Sequence, residues 1–339
     1  MTNLIGKTAE QIDTLLEPHV DRGFRARQVA HWILQRHAAS FAEMTNIPGD
    51  LRRRLAREFV LRDPTVAEVT ASRDGSRKYL FELTDGAAVE GVAMPEGRKL
   101  TLCLSSQTGC AVGCTSCVTA ALGAGRNLRP EEIVGQYRVM LRGADAERVN
   151  IVFMGMGEPL LNTTNLGDAL DVLAERVSPK RITVSTAGIV PGIRWLAGLG
   201  RRPKLAVSLN APDQERRRRI MPIADRYPLD RLMAELRRFP LEGGRRITFE
   251  YVVIRDFNEA EEDAARLARL VRGIPCKINV IPLNEDPDFL AGLRQPEAAT
   301  VDRFGGALRD AGLTATVRWS KGSDVAAACG QLKGRQVRP

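Results

Sequence analysis

The chain has 339 residues, of which 44% are hydrophobic, and a net charge of +9, so it can bury a large core in two or three structural units of ~150 residues. It begins MTNLIGKTAEQIDTLLE, which mixes charged with apolar residues and predicts neither a secretory signal nor a membrane anchor. The longest uncharged run, residues 100–125, contains Ser, Thr, Gln, Gly and Cys and is too polar for a transmembrane helix, so we expect a cytoplasmic protein.

Residues 1–64 carry helical patterns. Apolar residues recur there at helical spacing, at Ile12, Leu15, Leu16, Val29, Trp32, Ile33, Leu51, Leu55 and Phe59. Residues 65–95 instead hold β-rich runs around Asp74-Gly75 and Asp85-Gly86, pairs that favour tight turns between antiparallel strands. The sequence therefore predicts a small helical domain over 1–64 and a β-hairpin connector over 65–95.

From residue 96 to about 320, short β-rich runs alternate with helical segments. The runs are LTLCLS, VNIVFMG, RITVSTA, KLAVSLNA, RITFEYVVI and CKINVIPLN, and the helical segments cover 130–142, 165–176, 228–239 and 260–272. This alternation predicts an α/β fold with a parallel sheet and right-handed crossovers. Six units are fewer than the eight of a closed barrel, so a partial (β/α)6 barrel or a doubly wound sheet fits. Small and polar residues after almost every run favour the partial barrel, because ligand sites form at the carboxyl ends of parallel strands.

Three of the six cysteines, Cys110, Cys114 and Cys117, form a C-x3-C-x2-C cluster just after the first of these runs. In a reducing cytosol such thiols are metal ligands or catalysts more often than disulfides. A structural zinc site needs four ligands, and the histidines, at positions 19, 31 and 37, are far away in the chain. Three thiolates on a four-iron cluster would instead leave one iron open to a small molecule.

The positive charge is concentrated between residues 201 and 246, where thirteen Lys and Arg face six Asp and Glu, a net of +7. Such a basic belt suits a polyanion, because each cation that meets a phosphate releases a counterion. A solvated basic face explains the same composition equally well. The last residues, from 321 to 339, are predicted to form a C-terminal segment that ends in a disordered basic tail, KGRQVRP.

The cysteine cluster after the first barrel strand resembles that of the radical S-adenosylmethionine (SAM) superfamily. A narrower resemblance extends over nearly the whole chain, to the RNA adenine methyltransferases that modify C2, or in a resistance branch C8, of an adenosine in large-subunit ribosomal RNA. The motifs that carry it, in order, are FRARQVAHWI, SFAEMTNIP, DGSRKYLFELTDG, LCLSSQTGCAVGC, RNLRPEEIVGQ, VFMGMGEPLLN, STAGIVPGI, LAVSLNAPDQERR, ITFEYVVI, INVIPLN and AAACGQL.

This resemblance implies one [4Fe-4S] cluster held by the three clustered cysteines, and two SAM molecules per turnover. One SAM methylates the thiol of Cys329, and a radical made from the second SAM activates that methyl group for addition to the adenine ring. Glu90 then removes the ring proton, and Cys103 releases the product by forming a disulfide with Cys329. Cys276 matches no catalytic position, so we expect it to pack in the core.

The resemblance also implies residues that contact SAM. They are Gly157, Glu158, Ser185, Ser208, Leu209, Asn210 and Asn284, with the Glu158 carboxylate suited to the SAM ammonium group. Three positions depart from the family pattern. Ser116 replaces a usual aromatic residue, Ala120 replaces a usual Gly, and Asn210 replaces a usual His. These departures leave open the RNA target and the choice between C2 and C8.

The predicted function is therefore methylation of an adenine ring carbon in RNA, with C2 of 23S rRNA first and tRNA as a further substrate. The first expected partner is RNA, which the basic belt and the N-terminal helices would contact. The second is an electron donor such as flavodoxin or ferredoxin. We expect the enzyme to act as a monomer. Two alternatives remain open at this point: a radical SAM enzyme for a small molecule or peptide, and a non-enzymatic RNA-binding protein with a structural zinc site.

Overall fold

The computed structural model describes residues 1–290 and 292–334. The predicted tail KGRQVRP lies outside the described residues, apart from Lys333 and Gly334. Among the described residues, no helix is long and apolar enough to cross a bilayer.

The N-terminal region contains three helices held together by apolar side chains. Its elements are β1 (Thr2–Asn3), α1 (Ala9–Leu16), α2 (Gly23–Leu34), α3 (Gly49–Glu58) and β2 (Phe59–Val60). Thr8 caps α1, because its hydroxyl accepts from the Gln11 amide while the Gln11 side chain accepts from the Thr8 amide. The fully buried Ile12 and Ile33 form part of the core, and β1 pairs in parallel with β2, which brings the two ends of the region together.

Three antiparallel strands follow: β3 (Thr65–Ala71), β4 (Arg77–Glu82) and β5 (Ala88–Glu96). The two predicted Asp-Gly turns connect them. Gly75 and Gly86 have φ of +84° and +83°, the left-handed region that glycine adopts without a steric penalty. The hairpin prediction is confirmed, and these strands extend the same sheet as the strands that follow them.

Strands and helices alternate over the rest of the chain. The elements are β6 (Lys99–Cys103), α4 (Val118–Ala121), α5 (Pro130–Leu141), β7 (Arg148–Phe153), α6 (Thr163–Leu173), β8 (Ile182–Thr186), α7 (Val190–Ala197), β9 (Lys204–Ser208), α8 (Gln214–Ile220), α9 (Ile223–Arg226), α10 (Leu229–Arg238), β10 (Ile247–Val253), α11 (Glu261–Leu270), β11 (Cys276–Pro282), α12 (Ala298–Asp310) and β12 (Ala315–Val317). Short 3₁₀ turns lie at Glu17–His19, Phe41–Glu43, Pro159–Leu161, Pro179–Arg181, Glu242–Gly244 and Ser323–Val325.

Strands β3 to β12 form one sheet in which each strand pairs with its neighbours in the sequence. Strands β5 and β6 are antiparallel, whereas β6 to β12 are all parallel. Among the described residues β3 and β12 are the two edges, so the sheet is an open, partial barrel. The predicted fold class is confirmed. The six predicted runs became β6 to β11, and the short β12 was not predicted.

Arg138 of α5 connects the N-terminal region to the barrel. Its side chain is fully buried, and its Nε lies 2.8 Å from Asp63 Oδ1. Its two terminal nitrogens donate to the carbonyls of Ile33 and Ala38 in the N-terminal region. Every nitrogen of this guanidinium therefore has an acceptor, and the buried charge is compensated by a carboxylate.

Candidate active site

The carboxyl ends of the parallel strands surround a cavity of about 950 Å³, its open mouth included. All three clustered cysteines line it together with most of the residues predicted to contact SAM. Its lining includes Cys110, Cys114, Cys117, Gly157, Glu158, Ser185, Thr186, Ser208, Asn210, Glu250, Asn284, Cys329 and Gly330. Sequence positions from 110 to 330 therefore meet in one place, as expected for the carboxyl rim of a parallel barrel.

Backbone hydrogen bonds hold the cysteine loop that follows β6. Cys110 donates its amide to the Gly123 carbonyl at 2.8 Å, and Cys117 donates to Cys114 at 3.2 Å. Two stretches of the loop touch so closely that a Cβ on Gly109 would lie 2.5 Å from the Gly123 carbonyl oxygen. Glycine at position 109 is therefore required for this close approach. The backbone contacts fix the conformation of the loop beside the cavity.

The three clustered thiols line one cavity as free side chains. Within residues 1–290 and 292–334, no three Cys, His, Asp or Glu side chains gather as they would around one metal ion. Burial raises the pKa of all three thiols, that of Cys110 to about 12, so a bound cation is needed to make them thiolates at neutral pH. A four-iron cluster spaces its thiolate ligands apart and supplies that charge, so this donor set fits it.

Gly157 and Glu158 lie in the loop after β7. Gly157 has φ +95°, and a Cβ on it would lie 2.5 Å from the side chain of Gln107, so only glycine fits there. The Glu158 carboxylate accepts from the backbone amides of Leu160 at 3.0 Å and Ala187 at 2.7 Å. Burial raises the pKa of Glu158 to about 7, although these hydrogen bonds oppose the shift. Each oxygen has one backbone donor, which leaves lone pairs for a ligand.

The remaining predicted SAM contacts divide into two groups. Ser185, Ser208, Asn210 and Asn284 line the cavity. Leu209 does not, because its side chain is fully buried behind the rim, where its amide donates to the Glu250 carbonyl.

Asn210 also has a structural role. It has φ +56°, a conformation that Asn tolerates better than most residues. Its side-chain oxygen accepts from the Val252 amide at 3.0 Å, which fixes the rim to β10. The departure from the usual His therefore leaves a side chain suited to this backbone.

Cys329 lies on the cavity wall because the C-terminal segment binds the cysteine loop. The Val118 amide donates to the Gly330 carbonyl at 2.7 Å, and the Thr119 hydroxyl donates to the Leu332 carbonyl at 2.8 Å. Asn284, which follows β11, also holds the segment, because its side-chain amide donates to the Cys329 carbonyl at 3.0 Å. The side chain of Cys329 is open to the cavity, yet the protein around it raises its pKa to about 11.

Cys103, the last residue of β6, lies deeper. It is buried, and burial raises its pKa strongly. All six cysteines lie within the described residues and are free. The structure therefore gives no support to a disulfide, and the transient one between Cys103 and Cys329 stays a prediction. Cys276 is half-buried against the core, as predicted.

Glu90 projects from the same face of the sheet as Cys103. In the antiparallel pair of β5 and β6, Val92 lies opposite Cys103, and Glu90 is two residues from Val92. Its carboxylate is 3.2 Å from Lys78 Nζ and accepts from the backbone amides of Lys333 at 2.6 Å and Gly334 at 3.3 Å. The C-terminal segment therefore holds two predicted catalytic residues, Cys329 within it and Glu90 against it.

Sequence reasoning missed Glu250, which lines the cavity from the middle of β10. It is buried, burial raises its pKa, and it accepts a hydrogen bond from Asn279 at 2.9 Å. The signal was present as a single carboxylate in the apolar run ITFEYVV.

The predicted basic belt over 201–246 is not one continuous surface. Arg202 is nearly buried and pairs with Glu242 at 3.2 Å, and Arg217 is fully buried beside the cavity. The exposed cations of the belt are Arg201, Lys204, Arg218, Arg219, Arg226, Arg231, Arg237, Arg238 and Arg246. The expectation of a solvated or RNA-facing belt was therefore wrong for Arg202 and Arg217, because the fold turns these two inward.

Comparison with known proteins agrees with this geometry. Residues 104–268 match the radical SAM superfamily, and residues 2–61 match the ribosomal RNA large subunit methyltransferase N-terminal domain. A dual-specificity RNA methyltransferase RlmN from Anaeromyxobacter dehalogenans is 47% identical over 335 residues, covering 95% of this chain and 89% of that protein. The protein of the same name from Geobacter sulfurreducens is 45% identical, covering 99% of this chain and 93% of its own length.

A solved structure is similar over the same range. The radical SAM methyltransferase from Sphaerobacter thermophilus superposes with a TM-score of 0.93 at 39% sequence identity, covering 99% of this chain and all of that one. Both halves of the molecule, the helical N-terminal region and the partial barrel, are thus covered by these matches. The chain belongs to the RlmN family of radical SAM RNA methyltransferases.

Proposed function

We propose that this enzyme methylates C2 of an adenine in 23S rRNA, and in tRNA as a further substrate, through an S-methylcysteine at Cys329. The single observation that carries the proposal is the position of Cys329. It shares the cavity with the three clustered cysteines and is held there by the hydrogen bond from Val118 to Gly330. A thiol that carries a methyl group must lie within reach of the radical that activates it.

The cavity residues have separable roles in this proposal. Cys110, Cys114 and Cys117 would hold one [4Fe-4S] cluster, which supplies the electron that cleaves SAM to a carbon radical. Gly157 lets the backbone approach SAM closely, and Glu158 offers its free lone pairs to the SAM ammonium group. The hydroxyls of Ser185 and Ser208 and the amides of Asn210 and Asn284 suit the ribose and carboxylate groups.

The chemistry of the acceptor explains why a thiol is needed. C2 of adenine lies between two ring nitrogens and is electron-poor, so it does not displace a methyl group from a sulfonium. Cys329 instead accepts the methyl from one SAM. The methyl carbon gives a hydrogen atom to the carbon radical made from the second SAM, and it then adds to the ring while still attached to sulfur.

Two further residues complete the turnover. Glu90 takes the ring proton, with Lys78 and the amides of Lys333 and Gly334 orienting its carboxylate. The adduct also gives up its unpaired electron, which the bound cluster would take back. Cys103 then attacks the sulfur of Cys329 and forms a disulfide, while the released methylene carbon takes a proton and becomes the methyl group of the base. An electron donor such as flavodoxin or ferredoxin reduces the disulfide. The burial of Cys103 keeps it from reacting before the RNA adduct forms.

RNA would bind where exposed cations and the N-terminal helices face solvent. Arg22 and Arg27 of the N-terminal region and Arg218 and Arg219 of α8 are exposed, and phosphates are their natural partners. The names of the relatives support RNA as the substrate, since these proteins are called dual-specificity RNA methyltransferases. We propose that the enzyme works in the cytoplasm as a monomer, without membrane contact.

Mass spectrometry of RNA nucleosides tests the function. Purified 23S rRNA and tRNA from cells with and without the gene should differ by one methyladenosine in each, with the methyl on C2. A methyl on C8 would overturn the regiochemistry and keep the class. No difference in either RNA, together with purified protein that contains zinc and no iron or sulfide, would overturn the class.

Crosslinking separates the two catalytic thiols. Cys329→Ala should abolish methylation and never crosslink to RNA, because no thiol can carry the methyl. Cys103→Ala should accumulate a covalent protein-RNA adduct, because nothing releases it, with product formation reduced at least 100-fold. Cys276→Ala is the matched control and should behave as the parent enzyme. Equal crosslinking by the Cys103 and Cys329 variants would reverse or refute their roles.

A further inference from the structure

Arg217 is a fully buried arginine whose hydrogen-bonding capacity is only partly used. Its Nη2 donates to the carbonyls of Ala187 at 2.6 Å and Ser208 at 3.2 Å. Its Nε and Nη1 are buried without any acceptor in the described part of the chain. A buried, charged donor without an acceptor is destabilising, so this arrangement indicates a compensating ligand.

The guanidinium lies behind the cavity wall, on a helix that contacts the cysteine loop. Both of its acceptors, Ala187 and Ser208, belong to residues of the cavity wall. Helix α8, which carries Arg217, also binds the cysteine loop, because the Thr115 amide donates to the Ile220 carbonyl at 3.0 Å. Room for the side chain comes from Gly188, where a Cβ would lie 3.3 Å from Arg217 Nη2.

The charged residues that line the cavity are all acidic. Among the described residues that line it, Glu158 and Glu250 are acidic and none is Lys or Arg. Within residues 1–290 and 292–334, no carboxylate lies within 4.0 Å of Arg217. Arginine stays protonated at neutral pH even here, where burial lowers its pKa to about 10. The unpaired cation therefore lies behind the wall of the site where thiolates and the cluster would bring negative charge.

We propose that Arg217 is a positioning residue that holds buried positive charge behind the cavity wall and favours the reduced form of the bound cluster. The inference rests on the cluster of the proposed function. Reduction adds one negative charge, and a nearby cation in a medium of low dielectric constant stabilises that state. The negative charge of a filled site would also attract the two nitrogens that lack acceptors, Nε and Nη1.

The test compares variants of the full-length enzyme, purified anaerobically with the cluster reconstituted. Arg217→Met removes charge and donors, and Arg217→Gln removes the charge but can still donate to Ala187 or Ser208. Arg217→Lys keeps the charge. Arg216→Met is the matched control, because Arg216 on the same helix pairs with Asp213 and Asp263, away from the cluster. The readouts are iron and sulfide content and the midpoint potential, followed by EPR during a dithionite titration with mediators.

We expect the Met and Gln variants to have a more negative midpoint potential. At the parental midpoint their reduced-to-oxidised ratio should fall at least tenfold, which is about 59 mV for one electron. The Lys variant should stay within threefold of the parent, as should Arg216→Met. Loss of iron from both neutral variants while Arg217→Lys retains it supports the same role.

Parental potentials in both neutral variants would overturn the inference and leave the proposed function intact. A shift in Arg217→Lys as large as in Arg217→Met would also overturn it, since charge would not be the cause. If circular dichroism shows that Arg217→Met does not fold, the midpoint potential of Arg217→Gln decides between these outcomes. A parent enzyme that binds no iron and sulfide would instead overturn the proposed function itself.

Discussion

Arg138 and Arg217 are both fully buried, but they differ in their hydrogen-bond and charge partners. Arg138, between the N-terminal region and the barrel, has a carboxylate partner in Asp63 and an acceptor for every nitrogen. Arg217, beside the cavity, has no carboxylate partner among the described residues and two nitrogens without acceptors. A guanidinium that serves the fold is complete in the free protein, whereas one that serves a ligand is completed by the ligand.

The largest expected effect comes from breaking the complete pair. Arg138→Met should lower the free energy of unfolding by about 3–5 kcal/mol, because it removes half of a buried ion pair and leaves the Ile33 and Ala38 carbonyls without a donor. Urea denaturation of the cluster-free protein measures this. Arg142→Met is the control: Arg142 also pairs with Asp63 but is 38% exposed, so its loss should cost less than about 1 kcal/mol. Equal losses of stability in the two variants would show that burial of the Arg138–Asp63 pair does not strengthen its effect.

The two regions should also respond oppositely to pH. Burial, with help from Arg138, lowers the pKa of His37 from 6.5 to about 4, so between these values only the unfolded chain holds the proton. Its contribution makes the protein more stable as pH rises. Burial raises the pKa of Glu158 from 4.5 to about 7, so in that window only the folded protein holds the proton. Its contribution makes the protein less stable as pH rises.

Variants isolate these opposing slopes in the cluster-free protein. His37→Asn, which tolerates the φ of +53° at this position, should remove the rise between pH 4 and 6.5. Glu158→Gln should remove the fall between pH 4.5 and 7. Each difference from the parent should be on the order of 1–3 kcal/mol across its window. Urea denaturation at several pH values measures both, and slopes of the same sign would contradict the assignment.

The smallest effect on stability is expected at Arg217. Arg217→Met loses two hydrogen bonds to carbonyls but also removes a buried, unpaired charge, so the two contributions oppose each other. The free energy of unfolding of the cluster-free protein should therefore change by less than about 1 kcal/mol. Thermal and urea denaturation of Arg217→Met and Arg138→Met, measured side by side, compare the two changes in the free energy of unfolding. A loss as large as that of Arg138→Met would mean that Arg217 serves the fold.

Local patterns predicted the parts of the fold that local forces decide. The six apolar runs and the two Asp-Gly turns could be found because strand burial and left-handed turn conformations leave direct marks in the sequence. The three-residue β12 leaves too short a pattern to find. Arg217 stands in a run of four arginines, Arg216 to Arg219, that resembles a solvated surface. Only the helical rotation of about 100° per residue, combined with the packing of α8, turns one of the four inward.

The site depended on contacts that no local pattern encodes. The resemblance identified Cys103, Cys329 and the clustered cysteines, but the segment around Cys329 reaches the cysteine loop across more than two hundred residues of sequence. The same holds for the amides of Lys333 and Gly334 on Glu90. Leu209, a position carried over from the resemblance, has its side chain buried behind the rim, so its contact with SAM stays a prediction.

The hydrogen bonds from Val118 and Thr119 to the C-terminal segment join two parts with different tasks in the proposed mechanism. One end of this short bridge belongs to the loop that would anchor the iron, and the other belongs to the strand of chain that would bear the methyl. In the proposed mechanism, any shift of the loop would therefore move the methyl carrier with it. One short bridge couples the placement of both groups.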